Sequence, residues 1–79
     1  MAIVKDSYTH TVTHNKKKLA ITVNVYDEPC LRNQVNDFHT HVHVSHLGKT
    51  WGECFLPEPV ENPEQTARET IKILDKIKL

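Results

Sequence analysis

The sequence predicts an α+β domain: a four-stranded antiparallel sheet in the order ββββα, with one C-terminal helix packed on one face. Segments 7–14, 19–26, 37–46 and 51–56 are short and rich in β-branched and aromatic residues, and the clearest of them alternate with period two. Turn-forming residues separate each from the next. Beyond "PEPVENPEQ" the period changes, and Ala67, Thr70, Ile71, Leu74 and Ile77 make one stripe at helical spacing.

In "SYTHTVTH" (7–14), Tyr8, His10, Val12 and His14 fall on one side, and Ser7, Thr9, Thr11 and Thr13 on the other. "LAITVNVY" (19–26) sets Leu19, Ile21, Val23 and Val25 against Ala20, Thr22, Asn24 and Tyr26. "NKKK" (15–18) is the polar hairpin loop between them, opening with an asparagine that tolerates positive φ. Pairing His14 with Leu19 places Val12 opposite Ile21 and His10 opposite Val23.

"DEPCLRNQVND" (27–37) breaks the alternation. Pro29, Asn33, Asn36 and Asp37 are loop residues, and Leu31 and Val35, four apart, suit one short helical turn. A loop this long in so small a domain points to function. "DFHTHVHVSH" (37–46) is the third strand, "LGKT" a tight turn that uses Gly48 for an unusual φ, and "WGECFL" (51–56) the fourth. Setting His46 against Trp51 places Val44 opposite Glu53 and Val42 opposite Phe55. On the other side His43 then lies across from Cys54, and His41 across from Leu56.

Asn62 is the expected N-cap, Pro63 the first helical residue, and Gln65 the partner in a capping-box-like arrangement. Glu64 and Glu69 lie toward the helix start, with Lys72, Lys76 and Lys78 toward its end, as the helix dipole prefers. A helix over 63–79 spans about 25 Å at about 1.5 Å per residue. Its stripe needs an apolar floor, which Leu19, Ile21, Val23, Val25, Val42, Val44, Trp51 and Phe55 supply.

Seventy-nine residues make a single α+β domain, 1–79. A core of this size yields roughly 3–5 kcal/mol of net stability, so a disulfide, a metal or a partner subunit would be a useful staple. Ten basic and ten acidic residues cancel, and no whole-molecule field draws the chain to DNA or anionic lipid. The N-terminus lacks the apolar run of a signal peptide, and no stretch of about 18 apolar residues occurs. A soluble, cytoplasmic protein without a membrane segment is expected, with Cys30 and Cys54 as free thiols.

Alternation leaves the face opposite the helix neutral and rich in hydrogen-bonding groups: Ser7, Thr9, Thr11, Thr13, Thr22, Asn24, Tyr26, His39, His41, His43, Gly52 and Cys54. "HTHVHVSH" puts four histidines into positions 39–46. A His-x-His pair on a strand can share a zinc ion, and His41, His43 and Cys54 are the set this register allows. His39 and His43 lie about 13 Å apart at about 3.3 Å per residue, too far for one tetrahedral ion. No CxxC or HExxH supports the metal reading, and no cofactor is expected.

A Cys54–His43 nucleophile would sit on an open sheet face without an oxyanion hole, and neither a GxSxG nor a phosphate-binding glycine loop is present. The chain is therefore expected not to be an enzyme. Lys16, Lys17 and Lys18 form a basic hairpin tip suited to phosphates, which gives the alternative of a sheet-type nucleic-acid binder. Zero net charge argues against it.

The favoured reading is a small binding module that contacts a protein through its open sheet face and the 27–37 loop. Asn24, Tyr26, Leu31, His39, His41 and His43 are its expected contact residues. A homodimer through that face or through an edge strand would supply the missing staple. Histidine is the side chain that gains charge on mild acidification, and contacts through the face are expected to weaken as the pH falls. The order of strands followed by a C-terminal helix resembles the sheet-reading DNA-binding domains at the N-termini of some phage and transposon integrases. The resemblance is one of architecture, matches no residue motif and lacks their positive charge. The length and the missing enzyme signatures also suit a phage-encoded or mobile-element regulator or inhibitor.

Overall fold

A computed structural model describes residues 3–32 and 36–73, without the side chains of residues 31, 32 and 36. Four strands, β1 (Val4–His14), β2 (Lys17–Arg32), β3 (Asn36–His46) and β4 (Lys49–Leu56), precede one helix, α1 (Pro63–Ile71). The sheet is an antiparallel meander in the order β1-β2-β3-β4, and α1 packs on its β1–β2 half. The expected α+β architecture is the observed one.

The aliphatic row of β2 forms the centre of the core. Leu19, Ile21, Val23 and Val25 are buried, with Val42 and Val44 from β3 and Ala67 from the helix. Tyr8, Val12, Trp51, Cys54, Leu56, Val60 and Ile71 pack around them, half-buried. Among the described residues Thr40 is the one buried polar strand side chain, and it is satisfied: its hydroxyl donates to the Glu58 carbonyl (2.9 Å) and accepts from the Val60 N–H (3.1 Å). It ties the proline-rich connector to the sheet.

Both short hairpins close through two-residue turns with positive φ at each position: Asn15 (51°) and Lys16 (66°), then Leu47 (53°) and Gly48 (77°). Such turns match the twist of the strands they join. His14 accordingly pairs with Lys17, Val12 with Leu19 and His10 with Ile21, two residues away from the expected register. A shift of two leaves every side chain on its expected face.

The second short hairpin differs more. His46 pairs with Lys49 and Ser45 with Thr50, but Val44 pairs with Gly52, so Trp51 is an extra, bulged residue. Beyond it His43 opposes Glu53, Val42 opposes Cys54, His41 opposes Phe55 and Thr40 opposes Leu56. The expected pairing is off by one, and this exchanges faces. Cys54 and Leu56 join the core, while Phe55 and Glu53 leave it. The bulge keeps Trp51 against the core, where its ring meets the edge of His14.

The segment expected as a loop is largely strand. β2 runs to Arg32 and β3 begins at Asn36, with Cys30 opposite Phe38, Leu31 opposite Asp37 and Arg32 opposite Asn36. Leu31 is extended, so it does not open the expected helical turn, and Val35 lies outside the described residues. The irregularity between Val25 and Cys30 absorbs Pro29. β1 pairing ends with Val4 opposite Tyr26, so no ladder bond is lost to the proline there.

α1 starts as expected. Asn62 accepts the Gln65 N–H at 3.1 Å, and Pro63 is the first helical residue. The reciprocal half of a capping box is missing, because the Gln65 side chain reaches forward to Glu69 (2.9 Å). Of the expected 63–79, the described helix covers Pro63–Ile71, with Lys72 as C-cap. Leu74, Lys76, Ile77 and Lys78 lie outside the described residues. Pro63, Ala67 and Thr70 are its buried positions.

Candidate functional site

The sheet face away from α1 gathers rings at one end. His41 and Phe55 face each other across β3 and β4 and stack, with centroids 4.6 Å apart and planes at 14°. Phe38 meets Phe55 edge-on at 4.9 Å and Tyr26 at 5.9 Å. Phe38 would point to the core by simple alternation, but its ring lies among the open-face rings, beside the irregularity between Val25 and Cys30. None of Tyr26, Phe38 and Phe55 packs against the buried core. They form a second cluster on the opposite side of the sheet.

Polar side chains that already pair with one another continue the face from these rings toward the short hairpins. Ser7 donates to Asn24 (2.7 Å), Thr9 and Thr22 are joined (3.2 Å), His43 meets Thr50 (2.9 Å), and His41 meets Glu53 (2.9 Å). Each bond links side chains of two neighbouring strands. Such a surface has less side-chain entropy to lose on contact than one of unpaired, flexible groups.

Of the expected contact residues, Asn24, Tyr26, His41 and His43 therefore belong to one surface. His39 is drawn to the end of β4, with its Nδ1 3.3 Å from the Pro57 carbonyl oxygen. Leu31 lies in β2, and its side chain is outside the description. Phe38 and Phe55 were missed from sequence. The signal for Phe55 was available only through the bulge at Trp51, which alternation alone does not reveal.

The alternative metal set of His41, His43 and Cys54 does not assemble. Cys54 lies on the helix side and lines an apolar groove of about 240 Å³ with Val42, Val44 and Leu56, whereas His41 and His43 lie on the open side. Among the described residues no three His, Cys, Asp or Glu side chains cluster as metal ligands. The Cys54–His43 nucleophile pair fails for the same reason.

Both thiols are free. Burial pushes the Cys30 thiol above its ordinary range, with Glu28 and then Asp27 adding to the effect. The thiolate fraction at neutral pH is correspondingly smaller. Cys30 is expected to react with iodoacetamide at neutral pH more slowly than free cysteine does, and to catch up as pH rises. Peptide mass mapping over time measures this, and a faster rate than free cysteine would contradict the assignment.

Lys16, Lys17 and Lys18 are exposed at the first hairpin, and Lys49 joins them from the second, at the same end of the sheet. Residues 14–18 and 46–50 contain no acidic side chain. The zero net charge thus conceals a basic end. The ring cluster lies away from it: Lys18 and Asn24 are six residues apart on β2, about 20 Å at about 3.3 Å per residue. No family model, curated protein or solved structure matches the chain.

Proposed function

We propose that this protein is a small non-enzymatic binding module that contacts a protein partner through its uncovered sheet face. The observation that carries the reading is the ring cluster of Tyr26, Phe38, His41 and Phe55, outside the core and bordered by paired, mostly uncharged polar side chains. Aromatic centres with polar rims are the anatomy of protein interfaces, and a few such anchors supply most of the binding energy. From the 27–37 segment, residues 27–32 and 36–37 contribute as extended continuations of β2 and β3.

Affinity capture with the intact chain, followed by titration of the purified partner, tests this. Phe55→Ala is expected to weaken binding at least about 30-fold, a loss of about 2 kcal/mol typical of an interface anchor. Replacement of Lys16, Lys17 and Lys18 by alanine should leave it unchanged. A partner insensitive to Phe55→Ala would overturn the reading.

Lys49 beside Lys16, Lys17 and Lys18 favours a second reading, in which the basic end contacts nucleic-acid phosphates. That reading requires binding that falls steeply with salt and is lost in the lysine variant.

A further inference from the structure

The two edges of the sheet are built differently. β4 is short, carries the Trp51 bulge, exposes Lys49 and Glu53, and runs into Pro57. Bulges, charges and prolines are the usual means by which an edge strand is kept from pairing with another chain. β1 has eleven residues, and from Asp6 to His14 it has no lysine, proline or register shift.

β1 is also the strand whose burial is least complete. The fully buried strand side chains come from β2 and β3, whereas Tyr8, His10, Val12 and His14 remain half-buried on the helix side.

In a hairpin closed by a two-residue turn, the pair flanking the turn is hydrogen-bonded and alternate pairs follow. With His14 opposite Lys17, the amides of Ser7, Thr9, Thr11 and Thr13 point away from β2. The Ser7 N–H accordingly bonds to the Asp6 carboxylate at 2.9 Å.

We propose that β1 pairs antiparallel with β1 of a second copy, about a two-fold axis through His10, to give a continuous eight-stranded sheet. This register is self-complementary. Thr9 pairs with Thr11 of the second copy and Ser7 with its Thr13, which uses the outward amides of Thr9, Thr11 and Thr13 and takes the Ser7 N–H from the Asp6 carboxylate. On the helix side Tyr8 meets Val12, an aromatic and β-branched pair favoured across strands, and Asp6 comes beside His14, an acid beside a base.

The helices tolerate the arrangement. α1 packs on β1 and β2, so an axis midway between them lies two strand spacings from its symmetry mate, about 10 Å. That is the upper end of ordinary helix–helix packing distance. The dimer uses neither Phe55 nor Phe38, and it stands or falls separately from the open-face reading.

Sedimentation velocity across a concentration series is the first measurement, with a concentration-dependent dimer expected. Thr11→Pro removes only an outward N–H, so β1–β2 bonding is retained, and dimerisation is expected to weaken about tenfold or more. Circular dichroism checks that the variant is folded. Cross-linking supplies a readout that does not depend on this variant. At the axis, the two His10 residues form a non-hydrogen-bonded pair with Cα atoms about 4.5 Å apart, within disulfide reach. In a background lacking Cys30 and Cys54, His10→Cys is expected to cross-link under mild oxidation and Thr9→Cys is not. A monomer at every concentration overturns the proposal. So does a dimer that His10→Cys fails to trap, which would point to another surface, or heteromeric pairing of β1 with a different extended chain. Phe55→Ala should leave the dimer intact.

Discussion

Ile21→Ala is expected to leave a large fraction of the molecules unfolded at room temperature. Ile21 is fully buried in the middle of β2, between His10 on β1 and Val44 on β3. Truncation loses the transfer energy of the removed carbons and opens a cavity, which costs about 2–5 kcal/mol. A domain of this size holds only about 3–5 kcal/mol in total, so the loss approaches the whole. Val12 sits on the same face of β1 but is half-buried, and Val12→Ala should cost clearly less. Urea denaturation of the two variants measures the contrast. Similar midpoints for both would mean that the core is not centred on β2.

Thr40→Val should have the next largest effect, through polarity and with little change of volume. The substitution keeps the shape of a fully buried side chain and removes the hydroxyl that serves both Glu58 and Val60. A carbonyl and an N–H then lose their partner, at about 1–3 kcal/mol for each group left without one. Thr40→Ser keeps the hydroxyl and should retain most of the stability. Thermal melts of the two variants decide the matter, and a valine variant as stable as the native chain would show that water replaces the tie. By sequence pattern this threonine is a small defect in an apolar row. In the structure it is the polar link that holds the connector, and hence the start of the helix, against β3.

The strands, the helix start and the face toward the helix were largely legible in the sequence, because alternation and capping are local signals. Asn62 and Pro63 mark the helix start by their own chemistry. The two-residue error in the first hairpin was harmless, since strand side chains repeat every two residues. The one-residue error in the second was costly. Trp51 is a good strand residue and gives no local sign that it is bulged, yet its extra position exchanges Cys54 with Phe55. That exchange removes the supposed thiol ligand from the histidines and supplies the ring that completes the open-face cluster. Pro29 and the Asn and Asp residues of 27–37 signalled a loop, but beyond the end of β1 pairing a proline costs β2 nothing on that side. The cluster itself depends on Phe38 crossing faces near an irregular segment, a long-range consequence that no local pattern encodes.

The meander order has a kinetic consequence. Every strand pairs with its neighbour in the chain, and two of the three turns need only two residues. Loop closure is therefore cheap at each step, and the ladder can grow outward from a turn once that turn has formed. Contacts that wait for the connector, such as those of Thr40, come later. Gly48→Ala, placed where φ is +77° and the added carbon meets nothing within 4 Å, should act mainly by slowing refolding. Thr40→Val should act mainly by hastening unfolding. Stopped-flow measurements on the two variants would separate these limbs, and a slowed refolding limb for Thr40→Val would place the connector in the nucleus. On this account the tight two-residue turns govern how fast the native sheet is reached, and the buried threonine governs how long it lasts.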